Sequence, residues 1–268
     1  MTPTPIHAGT WWAMARAVVC ALSVVYLIAP MIIVLIISFS SAPFLQFPPP
    51  GFSLRWYRAY FDDPAWIAAT LRSLAIAGAV TVLATLLGTL LAFSIVRGRY
   101  PGRALASQIA TAPLAVPTIV YSVAVYGLFS ALKIAGQWQG IALAHTVHAL
   151  PFVVLIMGAA LRTVDPAQEQ AAMGLGASRL GAILRITLPQ LRPALISSAF
   201  LAFISSFDEV VIAMFLGGAD MTLPKKMFDN IQMEIEPTVA AVAMLQIALA
   251  AVVLALAARF GSGARVLN

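Results

Sequence analysis

Glu169-Gln170-Ala171-Ala172-Met173-Gly174-Leu175-Gly176, with Ile186-Thr187-Leu188-Pro189 downstream, is a polar excursion between two long apolar runs. A segment so placed belongs to a loop joining membrane-crossing helices. Asp165-Pro166-Ala167-Gln168 opens it as a helix start. Asp can cap, Pro suits the first helical position, and Gln at the third can complete a capping box. Gly176 suits the left-handed position after a helix end. Ser178 can cap a second short helix running through Leu188, which Pro189 helps to end. Leu180, Ile183, Leu184 and Leu188 recur at helical spacing, so that second helix should bury one face against membrane helices or a partner.

Composition leads to the same class. The 268 residues are 61% hydrophobic and 10% charged, with a mean hydropathy of +0.94. Soluble domains usually carry about 25% charged residues, so this chain has too little polar surface for a water-soluble globule. The net charge of +6 is then read as loop arginines and lysines of a membrane protein, not as a nucleic-acid footprint. Cys20 is the single cysteine and lies in an apolar run, which rules out an intrachain disulfide and a cysteine-based metal site.

Six segments are long enough to cross a bilayer, which needs roughly 20 apolar residues per helix. They fall near 18–38, 74–96, 104–132, 141–161, 195–216 and 239–259. The expected fold is all-α: one polytopic transmembrane domain over residues 1–268, with a cytoplasmic helical loop over 162–192. The first apolar run exceeds the usual signal-peptide core, so it is read as a retained helix. An inside N-terminus puts Arg16, Arg97, Arg99, Arg103, Arg162, Arg179, Arg185, Arg192, Arg259 and Arg265 on the cytoplasmic side, with the C-terminus. Arg55, Arg58, Arg72, Lys133, Lys225 and Lys226 then lie outside, and the excess inside fits the positive-inside rule. Trp56, Tyr57, Tyr60 and Phe61, after Pro48-Pro49-Pro50, read as an interfacial aromatic anchor. The other outer segment holds Lys225, Lys226, Asp229, Glu234 and Glu236, a mixed-charge face open to solvent or to a partner.

The spacing Ala171-Ala172, three residues, Gly176, nine residues, Ile186-x-Leu188-Pro189 closely resembles the cytoplasmic EAA loop of ABC importer permeases. That resemblance implies a loop that docks the membrane subunit on its ATPase. Glu169, Gln170, Ala171, Ala172, Gly176, Ser178 and Arg179 are the implied coupling residues. The usual motif Glu is Gln170 here, with Glu169 one position earlier, so the register or the charge of that contact differs. The resemblance further implies a second, homologous permease subunit, two cytosolic ATPase subunits that use ATP and Mg, a periplasmic substrate-binding protein and a bacterial inner-membrane location. The chain has no Gly-x-x-x-x-Gly-Lys-Ser/Thr phosphate loop and no nucleophile–base–orienter set. It is therefore expected to be a non-catalytic subunit without a cofactor or metal of its own.

Asp208 and Glu209 stand inside the fifth apolar run. Intramembrane acids are costly unless they meet water or a partner, which makes them pathway candidates. Asp208 lies about 22 Å along the helix from Pro193, in its outer half. Adjacent helix positions diverge, so at most one of the two acids faces a substrate directly. The alternative is a structural pair with another helix. The stretch Ser206 to Val211, with Thr222-Leu223-Pro224-Lys225-Lys226-Met227 and Glu236-Pro237-Thr238, resembles the spermidine/putrescine branch of these permeases. Its relatives also include importers of opines, aminophosphonates and other small amino-containing solutes.

In the third run, Pro113 and Pro117 disturb the helix beside Thr118, Tyr121 and Ser122. Those three either line a cavity or bond locally around a packing kink. His145 and His148 can share a helix face with no carboxylate or cysteine at ligand spacing, which favours packing or interhelical hydrogen bonding over metal binding. A stand-alone channel or secondary transporter is the competing class, but it has no use for an ATPase dock.

Overall fold

The computed structural model describes residues 10–218, 221–233 and 236–261. Glu234 and Arg265, and with Arg265 the C-terminal end placed above, lie outside the described residues. Among the described residues every regular element is helical, apart from one isolated antiparallel bridge between Ser40 and Phe52. The chain packs as two compact units, Met1–Asp62 with Met233–Gln246, and Asp63–Gln232 with Ile247–Asn268.

The first unit holds α1 (Thr10–Ser38) and α2 (Arg55–Asp62), and α13 (Thr238–Gly261) begins in it. Helix α1 is apolar on all sides and exposed through nearly its whole length, as suits a helix meant for lipid or a neighbouring chain. The segment after it is pinned by Ser41 N–H to Gly51 O and Ser53 N–H to Phe39 O. Ser38 and Tyr57 share a hydroxyl hydrogen bond of 2.9 Å. This corrects the aromatic anchor: Trp56 and Tyr60 are buried, each 6% exposed, while Phe61 stays outside. Their i, i+4 spacing puts both rings on the inner face of α2.

The second unit is built on α3 (Pro64–Arg97), α6 (Trp138–Thr163) and α10 (Arg192–Phe207), which pack on one another. Asp63 starts α3 by accepting from Ala65 N–H, and Pro64 stands at the first helical position. The core is small and aliphatic, with Ile76, Val80, Ala84, Ile141, Val153, Met157 and Ala202 nearly inaccessible. Close approach of α3 to α6 rests on Gly88, where an added Cβ would lie 2.7 Å from Val153 Cβ. Gly88→Val is therefore expected to destabilise the unit by about 1–3 kcal/mol through overpacking. Gly78→Val, whose Cβ would meet nothing within 4 Å, should not. Melting of the detergent-solubilised protein, with soluble yield, checks the pair; equal melting of the two variants contradicts the close approach.

Among the described residues four helices are long and apolar enough to span a membrane, or up to six if each of two bent pairs forms one span. The third expected span is not continuous. Helix α4 (Arg103–Thr111) ends in a 3-10 turn at Ala112–Leu114, and α5 (Thr118–Ala131) leaves at 105°. Pro113 and Pro117 explain the break, since each lacks an N–H and Pro disfavours helix at the residue before it. The fifth is also interrupted. Helix α10 stops at Phe207 and α11 (Val211–Leu216) begins after a three-residue gap, so Asp208 and Glu209 lie in a break and not within a helix.

Candidate functional site: a helix break with two histidines and a folded polar loop

The loop between α6 and α10 contains α7 (Pro166–Gly174), α8 (Arg179–Ala182), a π-helical segment (Ile183–Thr187) and α9 (Leu188–Gln190). Asp165 caps α7 through Ala167 N–H at 2.9 Å, as expected. Gly176 has φ +94°, and Gly176 N–H to Met173 O with Ala177 N–H to Ala172 O completes a Schellman end. Ser178 caps α8 by accepting from Gly181 N–H at 3.1 Å. The capping box does not form, because Gln168 Oε1 accepts from Gln190 Nε2 at 2.7 Å instead. Pro189 does not end the second helix either. The run passes through it, and the turn of 74° comes where α10 starts at Arg192.

Glu169 turns inward. Its Oε1 accepts from Thr187 Oγ1 at 2.7 Å and lies 3.7 Å from Arg97 Nε. Arg97 also donates through Nη2 to Val164 O at 2.7 Å. The end of α3 is thereby tied to the start of α7 and to the π segment. Gln170, Ala171, Met173 and Leu175 are exposed, and Leu175 is 91% accessible. Ala172 is half-buried, and Arg179 is exposed at the start of α8. Leu180, Ile183, Leu184 and Leu188 do turn toward α3, but they line an open groove and leave Leu180 and Leu184 accessible.

At the break after α10, Asp208 is exposed and stands at the helix end, its N–H bonded to Ile204 O. Glu209 Oε1 accepts from Val211 N–H at 2.8 Å and Ile212 N–H at 3.0 Å, so this carboxylate caps α11. Its Oε2 lies 3.9 Å from His148 Nε2. One turn away along α6, buried His145 joins Ser206 through Nδ1 at 2.9 Å. Two histidines of α6 thus address the same break. No carboxylate stands near His148 in the sequence; the fold brings Glu209 to it. Among the described residues no three metal-ligating side chains gather. Tyr121 donates to Ala144 O at 2.8 Å and its ring centroid lies 6.0 Å from His148. Ser122 is fully buried and donates to Thr118 O, with Thr118 itself half-buried.

Cations separate to the two ends of α3. Lys226, on α12 (Leu223–Met233), meets Asp63 at 3.4 Å and lies over Trp66 at 4.7 Å. Lys225 pairs with Asp229 at 2.6 Å on the same helix. Both lysines of this segment are therefore paired, Lys225 within its own helix and Lys226 across to the start of α3. Arg97, Arg99, Arg103 and Arg179 line one cavity at the opposite end of α3.

Residues 84–266 match the family described as binding-protein-dependent transport system inner membrane component. The chain belongs to that family. The putrescine transport system permease protein PotI of Escherichia coli (strain K12) is 36% identical over 253 residues, covering 91% of this chain and 88% of that one. The spermidine/putrescine transport system permease protein PotC of Haemophilus influenzae is 32% identical over 225 residues, covering 84% and 87%. A bacterial alginate ABC transporter, solved in complex with an alginate pentasaccharide-bound periplasmic protein, has a chain that superposes with a TM-score of 0.74 at 16% identity, covering 94% of both. That last likeness speaks for the fold. The chain is a transport permease subunit and a multi-pass membrane protein.

For this permease, the matched region contains both the α6–α10 loop and the α10–α11 break. Residue reading found the caps, Gly176 and the two acids. It missed Leu175, Thr187, Arg97 and the joining of His145 and His148 to the break. Leu175 stands four residues after Ala171, a helical spacing that was the sequence signal for the first. The others depend on which helices meet.

Proposed function

We propose that this permease forms half of the membrane pathway of an ATP-driven importer for polyamines in a bacterial inner membrane, with cytoplasmic termini. Likeness over nine-tenths of the chain to a putrescine permease carries the substrate class. Asp208, exposed at a helix break, supports it chemically, because a carboxylate there attracts an ammonium group and repels anions. Tyr121 lies beside His148, which faces Glu209, and Glu209 shapes the break by holding α11. A second, homologous permease subunit completes the pathway. Two cytosolic ATPases, using ATP and Mg, dock on the exposed side of α7, where Gln170, Ala171 and Leu175 stand out, with Ala172, Gly176, Ser178 and Arg179 setting the loop's shape. A periplasmic protein delivers the substrate.

The mechanism is alternating access. Closure of the ATPases shifts α7, and the inward-turned Glu169 passes that shift to α3 through Arg97 and to the π segment through Thr187. The coupling works only if these contacts differ between the two states. Labelled putrescine uptake by cells carrying the complete system tests the substrate class. Excess spermidine should compete, while an opine or an aminophosphonate should not. Competition by either of the latter, with spermidine inert, overturns the polyamine assignment and leaves the permease assignment in place.

A further inference from the structure

Arg97, Arg99, Arg103 and Arg179 surround a cavity of about 620 Å³ whose one acidic lining residue is Glu169. That carboxylate is already engaged by Thr187. Arg97 Nε is buried without a hydrogen-bond partner, although Glu169 lies 3.7 Å away. Arg103 spends one contact on Gly98 O at 3.3 Å. Four guanidinium groups around one carboxylate repel each other unless an anion joins them, and arginine is well suited to phosphate.

A separate apolar groove lies next along the same two elements, beginning within a turn of the cavity at Phe93 and Leu180. Along α3, Leu86, Leu90 and Phe93 form a stripe that leads to Arg97 at helical spacing. On the facing wall, Leu180 of the groove directly follows Arg179 of the cavity. The groove holds about 600 Å³, and α3 rises roughly 24 Å from Thr81 in the groove to Arg97 in the cavity at 1.5 Å per residue. A cationic head site at the end of a membrane helix, above a long apolar channel, fits one amphipathic occupant.

We propose that this is a binding site for an anionic phospholipid, with its phosphate among the four arginines and an acyl chain along α3. The inference rests on the proposed membrane reading only in placing residues 97–103 at a bilayer face. The bound lipid neutralises the corner of α3 and α4 against the loop that contains α7, so anionic lipid steadies the loop's attachment.

The test uses the complete assembly, reconstituted in vesicles of phosphatidylcholine and phosphatidylglycerol, then purified in detergent and weighed by native mass spectrometry. Phosphatidylglycerol should remain bound in preference to phosphatidylcholine. Arg99→Gln with Arg103→Gln should reduce that retention on the order of tenfold, and Arg99→Lys with Arg103→Lys should keep most of it. Leu90→Trp, which narrows the groove without changing charge, should reduce it as well. Unchanged phosphatidylglycerol retention in the glutamine variant overturns the proposal. So does displacement of the lipid by inorganic phosphate alone, which makes the cavity a free-anion site. Loss of the ATPase subunits from the glutamine variant in pure phosphatidylcholine vesicles also overturns it, since the arginines then serve protein docking. Because the readout is bound lipid, failure here leaves the substrate assignment untouched.

Discussion

Asp208→Asn is expected to lower putrescine uptake about tenfold or more while leaving the assembly intact. The side chain keeps its size and loses only its charge, and a charge-assisted contact contributes about 1.5–3 kcal/mol. Asp208 is the better candidate of the two acids because it is exposed. Glu209 is half-buried, accepts from two amides of α11 and lies beside His148. Glu209→Gln retains an acceptor for the cap and should cost less uptake than Asp208→Asn. Glu209→Ala removes the cap from Val211 and Ile212 and should lower protein recovery together with transport of every solute. Initial uptake rates at matched protein levels, with pull-down of the partner subunits, separate these outcomes. Full putrescine uptake by Asp208→Asn would show that the acid at the break does not meet the cation.

Glu169→Ala should release the ATPase subunits from the permease, with their recovery falling at least tenfold. Glu169 and Arg97 are both mostly buried, with side-chain exposures of 13% and 16%. Removing one partner of such a pair leaves a charge without its counter-ion and leaves Thr187 Oγ1 without its acceptor. A loss on the order of 2–3 kcal/mol follows, below the range for fully buried pairs because some solvent reaches both groups. The damage is to the loop's position, because Glu169 points away from the exposed side of α7. Glu169→Gln, which keeps an oxygen for Thr187 and drops the charge opposite Arg97, should fall between. Normal recovery and normal coupled ATPase activity in Glu169→Ala would remove the proposed link between loop and α3.

The family was legible because its signal is local. Asp165, Pro166, Gly176 and Ser178 act within a few residues of themselves, so caps and a left-handed glycine can be read along the chain and reappear in the structure. Apolar length likewise announced the spans. The breaks were harder. Pro113 and Pro117 advertised the first, although not its 105° angle. The second, at Asp208–Val210, has neither proline nor glycine, and its signal was the pair of acids itself. An acid placed after the last turn can bond freed amides, as Glu209 does, so the same residues that suggested a pathway also mark the helix end. Long-range partners were out of reach: nothing in the spacing of His148 and Glu209, or of Arg97, Glu169 and Thr187, announces that α3, α6 and the π segment bring them together. The difference between Glu169 and Gln170 is likewise visible only in three dimensions, where both line one cavity but Glu169 is held by Thr187 and Gln170 is exposed.

The most direct test of the importer reading is putrescine uptake into proteoliposomes containing this permease, its partner permease and the two ATPases, with the binding protein on the outside and ATP inside. The account predicts accumulation that needs ATP, the binding protein and this chain together, and that stops when hydrolysis is blocked. Accumulation at an equal rate with the ATPases omitted would contradict it and make the chain a stand-alone carrier.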